Sequence, residues 1–540
     1  MNYRYCAIFF VLTLNGLRTS PAFAGELTLE PSVTSSVSVF NREFEDDTSR
    51  TERALSLIPS LSTVYNSKHA SLSMLLKHSA IARDGNSDSS STNYTDIQLA
   101  SQFVLIENLL SFEVSADQSY RARSQSQFDF SDRISAPDDL AKIQSDKALL
   151  SFSLPNPPYI GLNWQASLSH KKTDSGIDDG AIGNRVDGSN VLLAANIFNG
   201  HKLQSFSYNF SAQYNDTSRA NFANFKSTNL NGSAGMGLGN DFSVIAQGRL
   251  DDYNSDSLGL ISSRRNLDTS SYGAGIRWQP RDSRLLELTY NQLKQNENTT
   301  GFVGASAQWA FSSRTSMTLD YGKRFYGDAY TFAFDYNLKS LRVSMSYNED
   351  VTTFARLDTT SQDVGIFVCS FGSSDLEDCF QPDSLEYVLQ PGEEFRSLTE
   401  ISSDIAEDVI FRKNGNISIG YQKRKLKALL NITRRTTEYL ESDRERTRTS
   451  ASLNLDYALG RRSNVGLTTT ISQQTSGNES IKTRTFASTL TFNRSIQQNL
   501  VANLSLRYAK LNRSDSSLNS VNTPQDLVST SLNASLSYRF

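Results

Sequence analysis

The sequence predicts an all-β fold, a transmembrane antiparallel up-and-down β-barrel of about 24 strands, within a range of about 22 to 26. Three observations support this class. Apolar and polar residues alternate over many segments that are long enough to cross a membrane as tilted strands. The connections between these segments alternate between short turns and longer polar loops. After the N-terminal region, no segment approaches the about 18 consecutive apolar residues of a membrane-spanning helix.

The first 24 residues have the pattern of a secretory signal peptide. A basic residue, Arg4, precedes an apolar stretch at residues 7–17, and a small-x-small site predicts cleavage before Gly25. Cys6 lies inside the segment to be removed and not at the cleavage point, which argues against a lipoprotein anchor. We therefore expect residues 1–24 to be a cleaved export signal.

The composition indicates a single β domain over residues 25–540. A chain of 540 residues would ordinarily suggest several domains, but no Pro/Gly-rich linker divides it. Hydrophobic residues are only 38%, and 22 Tyr and 30 Phe are abundant beside 3 Trp and 5 Met, which favours β-structure. The formal net charge of −4 offers no basic surface, so we expect no nucleic-acid partner.

The alternating segments share one apolar and one polar face. The last ten residues, SLNASLSYRF, alternate strictly between polar and apolar side chains. The same pattern recurs at residues 330–338, 341–347, 451–457 and 500–508. Each segment is predicted to be a strand that crosses the membrane once.

The predicted connections fall into two length classes that alternate along the chain. The short ones include residues 155–158, 199–202, 279–283, 337–340 and 459–463. The longer ones include residues 82–93, 123–139, 172–189, 254–268 and 512–526. Short periplasmic turns and long extracellular loops are typical of outer-membrane barrels, whereas a secreted sandwich or propeller gives no reason for this alternation. In hydrocarbon every backbone polar group must be paired, so the barrel must close, and the polar face lines its lumen.

The three tryptophans lie near predicted short turns. Trp164, Trp278 and Trp309 share the apolar face of their strands. Interfacial aromatic residues form girdles around membrane barrels. We therefore predict that these tryptophans belong to an aromatic girdle at the periplasmic interface.

The C-terminal strand resembles the closing strand of outer-membrane barrels. Tyr538 and the terminal Phe540 match the aromatic ending that serves as an insertion signal in such barrels. The resemblance implies the barrel assembly machinery as a partner, outer-membrane lipid as the surroundings, and the cell outer membrane as the location.

The sequence carries no recognisable catalytic or metal-binding motif. Its four histidines, His69, His78, His170 and His201, show no metal spacing, and His69 and His201 fall in predicted short turns. No G-x-S-x-G elbow or phosphate-binding loop occurs, and residues 237–241 fit a hairpin turn. We expect no cofactor, no metal and no enzymatic activity; a hydrolase with Ser/His or Asp/His at the outer rim is the alternative.

Charges of both signs are predicted on the lumen face. They are Asp320, Asp335, Arg342, Asp456, Arg507 and Arg539. A mixed polar lining suits water or neutral polar solutes better than it suits an ion-selective filter. Alternatively, these residues only solvate or cross-brace the interior. No plug-sized segment precedes the first strand near Pro31, which disfavours a TonB-dependent transporter.

One predicted extracellular loop, at about residues 355–406, is much longer than the others and contains Cys369 and Cys379. Cysteines in an exported loop favour a disulfide between these two residues. A wide barrel without a plug leaves a large hole, so the loop is a candidate for an inward-folded constriction. A solvated external loop is the alternative.

Four segments resemble a family of outer-membrane barrels associated with PEP-CTERM/exosortase and exopolysaccharide systems, the EpsL-like β-barrel porin 2 group. They are residues 29–40, 55–65, 323–353 and 411–440. The resemblance implies a porin-like conduit in exopolysaccharide export, with the polysaccharide and a periplasmic export component as partners. A general diffusion porin and a non-transport surface barrel whose loops bind or anchor partners are the alternatives.

Overall fold

The computed structural model describes most of the chain between Gly25 and Phe540. The described residues are 25–44, 49–84, 91–122, 133–134, 140–174, 187–203, 205–219, 224–254, 268–281, 283–295, 298–324, 326–353, 363–370, 379–380, 393–399, 409–440, 444–476, 481–515 and 526–540. The predicted signal peptide lies outside these residues and stays a prediction.

Twenty-four long strands form one sheet. They are β1 (Glu26–Phe44), β2 (Ser49–Asn66), β3 (Ala70–Asp84), β4 (Ser91–Ile106), β5 (Leu110–Ala122), β6 (Leu140–Ser153), β7 (Ile160–Asp174), β8 (Asp187–Asn199), β9 (Phe206–Arg219), β10 (Phe225–Gly239), β11 (Phe242–Asn254), β12 (Thr269–Arg281), β13 (Arg284–Gln295), β14 (Asn298–Ser312), β15 (Thr315–Arg324), β16 (Gly327–Asn337), β17 (Leu341–Thr353), β21 (Val409–Lys423), β22 (Leu426–Tyr439), β23 (Arg444–Gly460), β24 (Ser463–Ser476), β25 (Ile481–Gln497), β26 (Leu500–Asp515) and β27 (Asp526–Arg539). Three short strands in the connection between β17 and β21 form a second sheet: β18 (Asp363–Ser370), β19 (Cys379–Phe380) and β20 (Glu393–Thr399).

The sheet closes on itself into an antiparallel barrel. Each strand pairs with its neighbours in the chain, and β1 pairs with both β2 and β27. The last backbone hydrogen bond of the seam joins the Phe540 amide to the Pro31 carbonyl, at 3.0 Å. The predicted barrel of 24 strands is confirmed, and its first strand begins at Glu26, slightly before the expected position. Among the described residues there is no helix long and apolar enough to span a membrane.

The two ends of the barrel differ in the length of their connections. At one end, called the short-turn end below, the connections contain two to six residues. At the opposite end, called the long-loop end, they contain two to 55 residues. The predicted turn at 237–241 is a two-residue hairpin in which Asn240 (φ 51°) and Asp241 (φ 65°) both have the left-handed backbone of a type I′ turn.

Strand alternation separates an apolar outer face from a polar inner face. In the seam strand β1, Val37 and Val39 are exposed on the outside, whereas Ser36 and Ser38 are buried on the inside. The same alternation continues through the register of every pair, so exposed leucines such as Leu504 and Leu532 surround the barrel. A closed wall with an exposed apolar outer band is the arrangement that a lipid bilayer requires.

Pairing between neighbouring strands ends early at three places near the long-loop end. One of them is between β14 and β15, where the ladder ends at Ala305 and Tyr321 although both strands continue. The ladder between β4 and β5 runs from Ile106 only as far as Ile97, although both strands continue beyond it. The ladder between β16 and β17 ends at Phe332 and Tyr347, and β17 continues in register with β21 alone. The last two breaks separate β5 from β4 and β17 from β16, whereas β6 stays paired with β7 as far as Lys142 and β21 stays paired with β22 as far as Ile410.

Candidate functional site: the lumen and its mouth

The lumen wall is lined by side chains that hydrogen-bond to one another across strands. Hydroxyl pairs join neighbouring strands at Ser32–Ser60 (2.6 Å), Ser36–Ser56 (2.6 Å), Thr34–Ser537 (2.8 Å), Thr433–Ser450 (2.6 Å) and Ser472–Thr485 (2.5 Å). These short, uncharged polar side chains give the lumen wall a hydrophilic surface and occupy little of the lumen.

A second polar network lies on β11 to β14. The Gln247 amide donates to Thr289 Oγ1 (2.9 Å) and Asn291 Oδ1 (2.8 Å), and Asn291 Nδ2 donates to Thr289 Oγ1 (2.8 Å). Asn291 lies flat across its neighbour Gly273, where a Cβ atom would lie 2.0 Å from Asn291 Oδ1. Glycine at that position therefore makes room for the amide network.

An ion pair braces the same wall nearer the short-turn end. Arg277 Nε donates to Glu287 Oε1 at 2.5 Å, and Arg277 also donates to Ser207 Oγ at 3.1 Å. Both charged side chains are 15% exposed. The pair neutralises two opposite charges on the wall and joins β9, β12 and β13.

The six predicted lumen charges all lie on the inner face by register, and they are distributed along the wall. Ser306 donates to Asp320 (2.6 Å), and Arg539 forms an ion pair with Glu30. The others face their register partners: Asp335 beside Ser316 and Ser344, Arg342 beside Asn337 and Gly420, Asp456 beside Lys427 and Gly466, and Arg507 beside Thr489 and Ser531. The charges do not form a single ring that could act as a filter.

The three tryptophans lie at the short-turn end on the outer face. Trp278 packs between Phe242 (ring centroids 6.3 Å apart) and Trp309 (5.8 Å), and Trp164 stacks on Phe152 (6.1 Å). In the C-terminal strand, the Tyr538 and Phe540 rings meet edge to face, with centroids 5.0 Å apart. These aromatic side chains occupy the position where an interfacial girdle is expected.

Part of the connection between β5 and β6 is bound to the inner wall near the long-loop end. Arg133 forms a two-pronged ion pair with Asp96, with N–O distances of 2.5 and 2.8 Å. The Arg83 guanidinium donates to the Ile134 carbonyl (2.6 Å) and to the Arg133 carbonyl. The Arg133 guanidinium also lies over the Tyr94 ring, 5.4 Å from its centroid. We call Arg83, Tyr94, Asp96, Arg133 and Ile134 the latch.

Register places the wall side of the latch inside the barrel. Asp96 pairs with Lys77 and Arg83 pairs with Ala54, on the face opposite the exposed Leu55 and Ile97. The segment 133–134 therefore lies on the lumen side of β3 and β4.

The end of the β5–β6 hairpin packs on the same wall through residues that alternation assigns to the outer face. Leu140 belongs to a buried cluster with Phe40, Ala54, Ile81 and Tyr94, with Tyr120 and Ile134 at its edge. By alternation, Tyr120 lies on the same face of β5 as the outward Phe112, and Leu140 lies on the same face of β6 as the outward Phe152. Above the break between β4 and β5, outer-face side chains of this hairpin therefore pack against the inner face of β1 to β4.

A second apolar cluster bridges the mouth on the other side. Val351 on β17 and Val409 and Phe411 on β21 are buried against Phe225, which lies on the inner face of β10. Six strands, β11 to β16, separate β10 from β17 in the wall. We call this group, completed by Tyr253, Tyr326 and Leu440, the mouth cluster.

Tyr326 connects the mouth cluster to the short β15–β16 turn. The centroids of the Tyr326 and Phe411 rings lie 4.2 Å apart. Burial raises the pKa of the Tyr326 hydroxyl above the usual tyrosine value. The hydroxyl therefore stays protonated and neutral within this apolar contact.

The long connection between β17 and β21 is described only in its small sheet. Cys369 and Cys379 are directly opposed register partners in β18 and β19. The disulfide between them remains a prediction, as does the role of this loop as a constriction, because most of residues 354–408 lie outside the described part of the chain.

The described residues contain no group of three or more potential metal ligands. The four histidines lie apart: His69 and His201 are in short turns, His78 contacts Thr95 (2.9 Å), and His170 faces Asp146.

The latch and the mouth cluster could not be found from the sequence. Arg133 lies in a polar connection without alternation, and nothing in the pattern pairs it with Asp96. Val351 and Phe411 continue an outward-facing alternation, so their inward packing depends on the break between β16 and β17. A periodic pattern predicts faces only while the ladder is intact.

No family model matches the sequence, and the search of curated proteins finds no match. Among solved structures, the fold is similar to that of the FrpB iron transporter from Neisseria meningitidis, with a TM-score of 0.44, 10% identity, and coverage of 94% of this chain and 82% of that one. Similarity also extends to the siderophore receptor PirA from Acinetobacter baumannii (TM-score 0.40, 8% identity, 94% and 80% coverage) and to the copper transporter OprC (TM-score 0.40, 11% identity, 96% and 81% coverage). The assignment of this chain as a transmembrane β-barrel follows from its own strand pairing and its apolar outer band.

Proposed function

We propose that the protein is an outer-membrane conduit that lets a polar polymer, an exopolysaccharide, pass through its lumen. The observation that carries the proposal is the set of hydrogen-bonded hydroxyl and amide side chains on the inner wall of a closed barrel of 24 strands. Barrels of about 16 to 18 strands already enclose an aqueous channel, so a barrel of this size can admit a hydrated chain of sugars.

The chemistry of the lining suits a neutral or weakly charged glycan. Many weak hydrogen bonds allow a polymer to slide, whereas a few strong sites would hold it. The lumen charges are spread out, and several are neutralised within the wall, as in Arg277–Glu287 and Arg539–Glu30. The family resemblance of residues 323–353 and 411–440 favours exopolysaccharide over other polar solutes.

We further propose that the latch and the mouth cluster gate this conduit at its extracellular end. An open lumen of this width would make the cell permeable to toxic solutes, so a conduit needs an obstruction that can move. The latch is held mainly by the Arg133–Asp96 ion pair and by two hydrogen bonds from Arg83 to backbone carbonyls. These contacts are few enough to break and re-form reversibly. The same proposal includes export through a cleaved signal, insertion by the barrel assembly machinery and a periplasmic export partner. It also includes the absence of catalytic activity and of any cofactor.

Reconstitution and gene deletion test the proposal together. Purified protein in planar bilayers should open aqueous channels, and liposomes that contain it should release neutral dextrans up to a defined size. Deleting the gene should reduce surface polysaccharide while its synthesis continues. Channels with normal surface polysaccharide in the deletion strain would favour a general diffusion porin. A protein that forms no channels even with the latch removed would favour a surface barrel whose loops bind or anchor partners.

A further inference from the structure

Two basic side chains, Arg484 on β25 and Lys510 on β26, point away from the barrel at its long-loop end. Lys510 pairs with Phe486 and Arg484 pairs with Asn512, all of which are exposed. The residues that alternate with them face the lumen and are buried: Thr485, Ala487, Ala509 and Leu511. The two cations therefore belong to the lipid-facing surface.

Their height places them at the edge of the apolar band. Lys510 lies ten positions from Leu500 (500 to 510), which begins β26 at the short-turn end. With a rise of about 3.3 Å per residue and a tilt of about 40°, ten residues climb about 25 Å, the height of the apolar band of an outer-membrane barrel. Leu504, Leu506 and Tyr508 fill the outer face between these two levels. Lys510 and its diagonal neighbour Arg484 thus meet the lipid–water interface on the extracellular side.

The local charge at this interface is positive. Neither Arg484 nor Lys510 forms an ion pair with a described residue, and Lys482 lies next to Arg484 on the same outward face. Asp526 on β27 is the register partner of Asn512, so three cationic residues, Lys482, Arg484 and Lys510, share this region with one acidic residue on the adjacent strand. Like charges on neighbouring strands repel one another, so this surface is stabilised by an anion from its surroundings.

The neighbouring side chains can complete an anion site. Gln473 and Asn512 are the register partners of Arg484 and carry amide N–H donors. Phe486 and Tyr508, whose ring centroids are 6.2 Å apart, lie just below the cations on the apolar side. Basic groups above an aromatic pair match an amphiphile with an anionic head and acyl chains.

We propose that Arg484 and Lys510 bind the phosphate group of a lipid in the outer leaflet. A guanidinium can donate two parallel hydrogen bonds to a phosphate, and the lysine adds a point charge. The phosphate neutralises the cations, and the acyl chains cover Phe486 and Tyr508. The inference is independent of what passes through the lumen.

The test is a lipid titration of the folded, full-length protein in non-ionic detergent, followed by native mass spectrometry, with diphosphoryl lipid A as the probe. Arg484→Gln combined with Lys510→Gln should weaken binding by about 30-fold, because each interfacial cation contributes about a factor of five. The matched control is Lys226→Gln combined with Lys294→Gln, which removes two exposed, outward-facing lysines on β10 and β13. The control should bind like the wild type.

Three results would overturn the proposal: unchanged binding in the Arg484/Lys510 variant, an equal loss in the control, or wild-type binding of dephosphorylated lipid A as tight as that of the diphosphoryl form. The last comparison needs no variant, so the proposal stays testable if the glutamine variant fails to assemble. Heat-modifiable gel mobility reports assembly of each variant.

Discussion

Replacing Asp96 by asparagine is expected to open the mouth of the barrel at its long-loop end. The substitution keeps the size of the side chain but removes the charge that holds the Arg133 guanidinium at 2.5 and 2.8 Å. Without the Asp96 carboxylate, the Arg133 guanidinium has a lower free energy when it is hydrated in solvent than when it lies against the lumen wall. The segment 133–134 should then leave the lumen more often.

The magnitude follows from the burial of the pair. The side chains of Arg133 and Asp96 are 22% and 13% exposed, so solvent screens their attraction only in part. Charge-assisted hydrogen bonds of this kind contribute about 2 kcal/mol. Losing that energy raises the ratio of open to closed mouths by about 30-fold, since 1.4 kcal/mol corresponds to a factor of ten.

Single-channel recording in planar bilayers measures this ratio as the fraction of time spent in the high-conductance state. Arg133→Lys keeps the charge but loses the two-pronged geometry, so it should give an intermediate value. Glu287→Gln is the matched control, because it breaks a comparably buried arginine–carboxylate pair on the lumen wall, Arg277–Glu287, which holds no connecting segment. It should leave the open fraction unchanged.

The reasoning would be refuted by an Asp96→Asn barrel that is folded and has the wild-type open fraction. An equal increase in the Glu287→Gln variant would also contradict it, because lumen charge in general, and not the latch, would then control conductance.

Three further predictions concern the long connection and the mouth cluster. Replacing Cys369 and Cys379 by serine should leave heat-modifiable mobility intact, because a disulfide in this connection restrains only the loop, by about 2 to 3 kcal/mol; free thiols in the native protein would disprove the bond. Protease added to intact cells should cut within residues 355–406 and spare the turn at 459–463, and the reverse pattern would invert the orientation of the barrel. Phe411→Ala should cost about 3 kcal/mol of mouth-cluster packing and raise the open fraction, with unchanged channels counting against a gating role.

Most of the barrel could be predicted because membrane physics leaves few alternatives. Alternation such as that of SLNASLSYRF requires a strand with one apolar face, and backbone pairing in lipid requires closure. The strand number follows from counting such segments, and the structure confirms 24. Loop length also predicted which connections share an end, although the two-residue connections after β13 and β15 show that the long-loop end is not uniformly long.

The mouth could not be predicted because it depends on contacts between residues distant in sequence. Alternation assigns Leu140 and Phe411 to the lipid-facing side, and it is correct for the strand segments below them. It fails above the points where pairing ends between β4 and β5 and between β16 and β17, since outer-face residues there are buried against inner-face residues of other strands. A sequence pattern predicts which side of a strand is apolar. It does not predict which residues that side packs against beyond the end of the hydrogen-bonded ladder.

The breaks between β4 and β5 and between β16 and β17 supply the physical basis of the proposed gate. Above the apolar band, outward apolar residues such as Val351, Phe411 and Leu140 would face water, which is unfavourable in a cylindrical wall. In the structure these residues are instead buried against Phe225 and Phe40, above the continuous ladder of the membrane-spanning part. In the proposed gate, opening exposes a limited apolar area and breaks the Arg133–Asp96 ion pair and the two hydrogen bonds from Arg83, while the 24-strand ladder below stays intact. A polymer in the proposed conduit needs only to compete for these few contacts to pass the mouth.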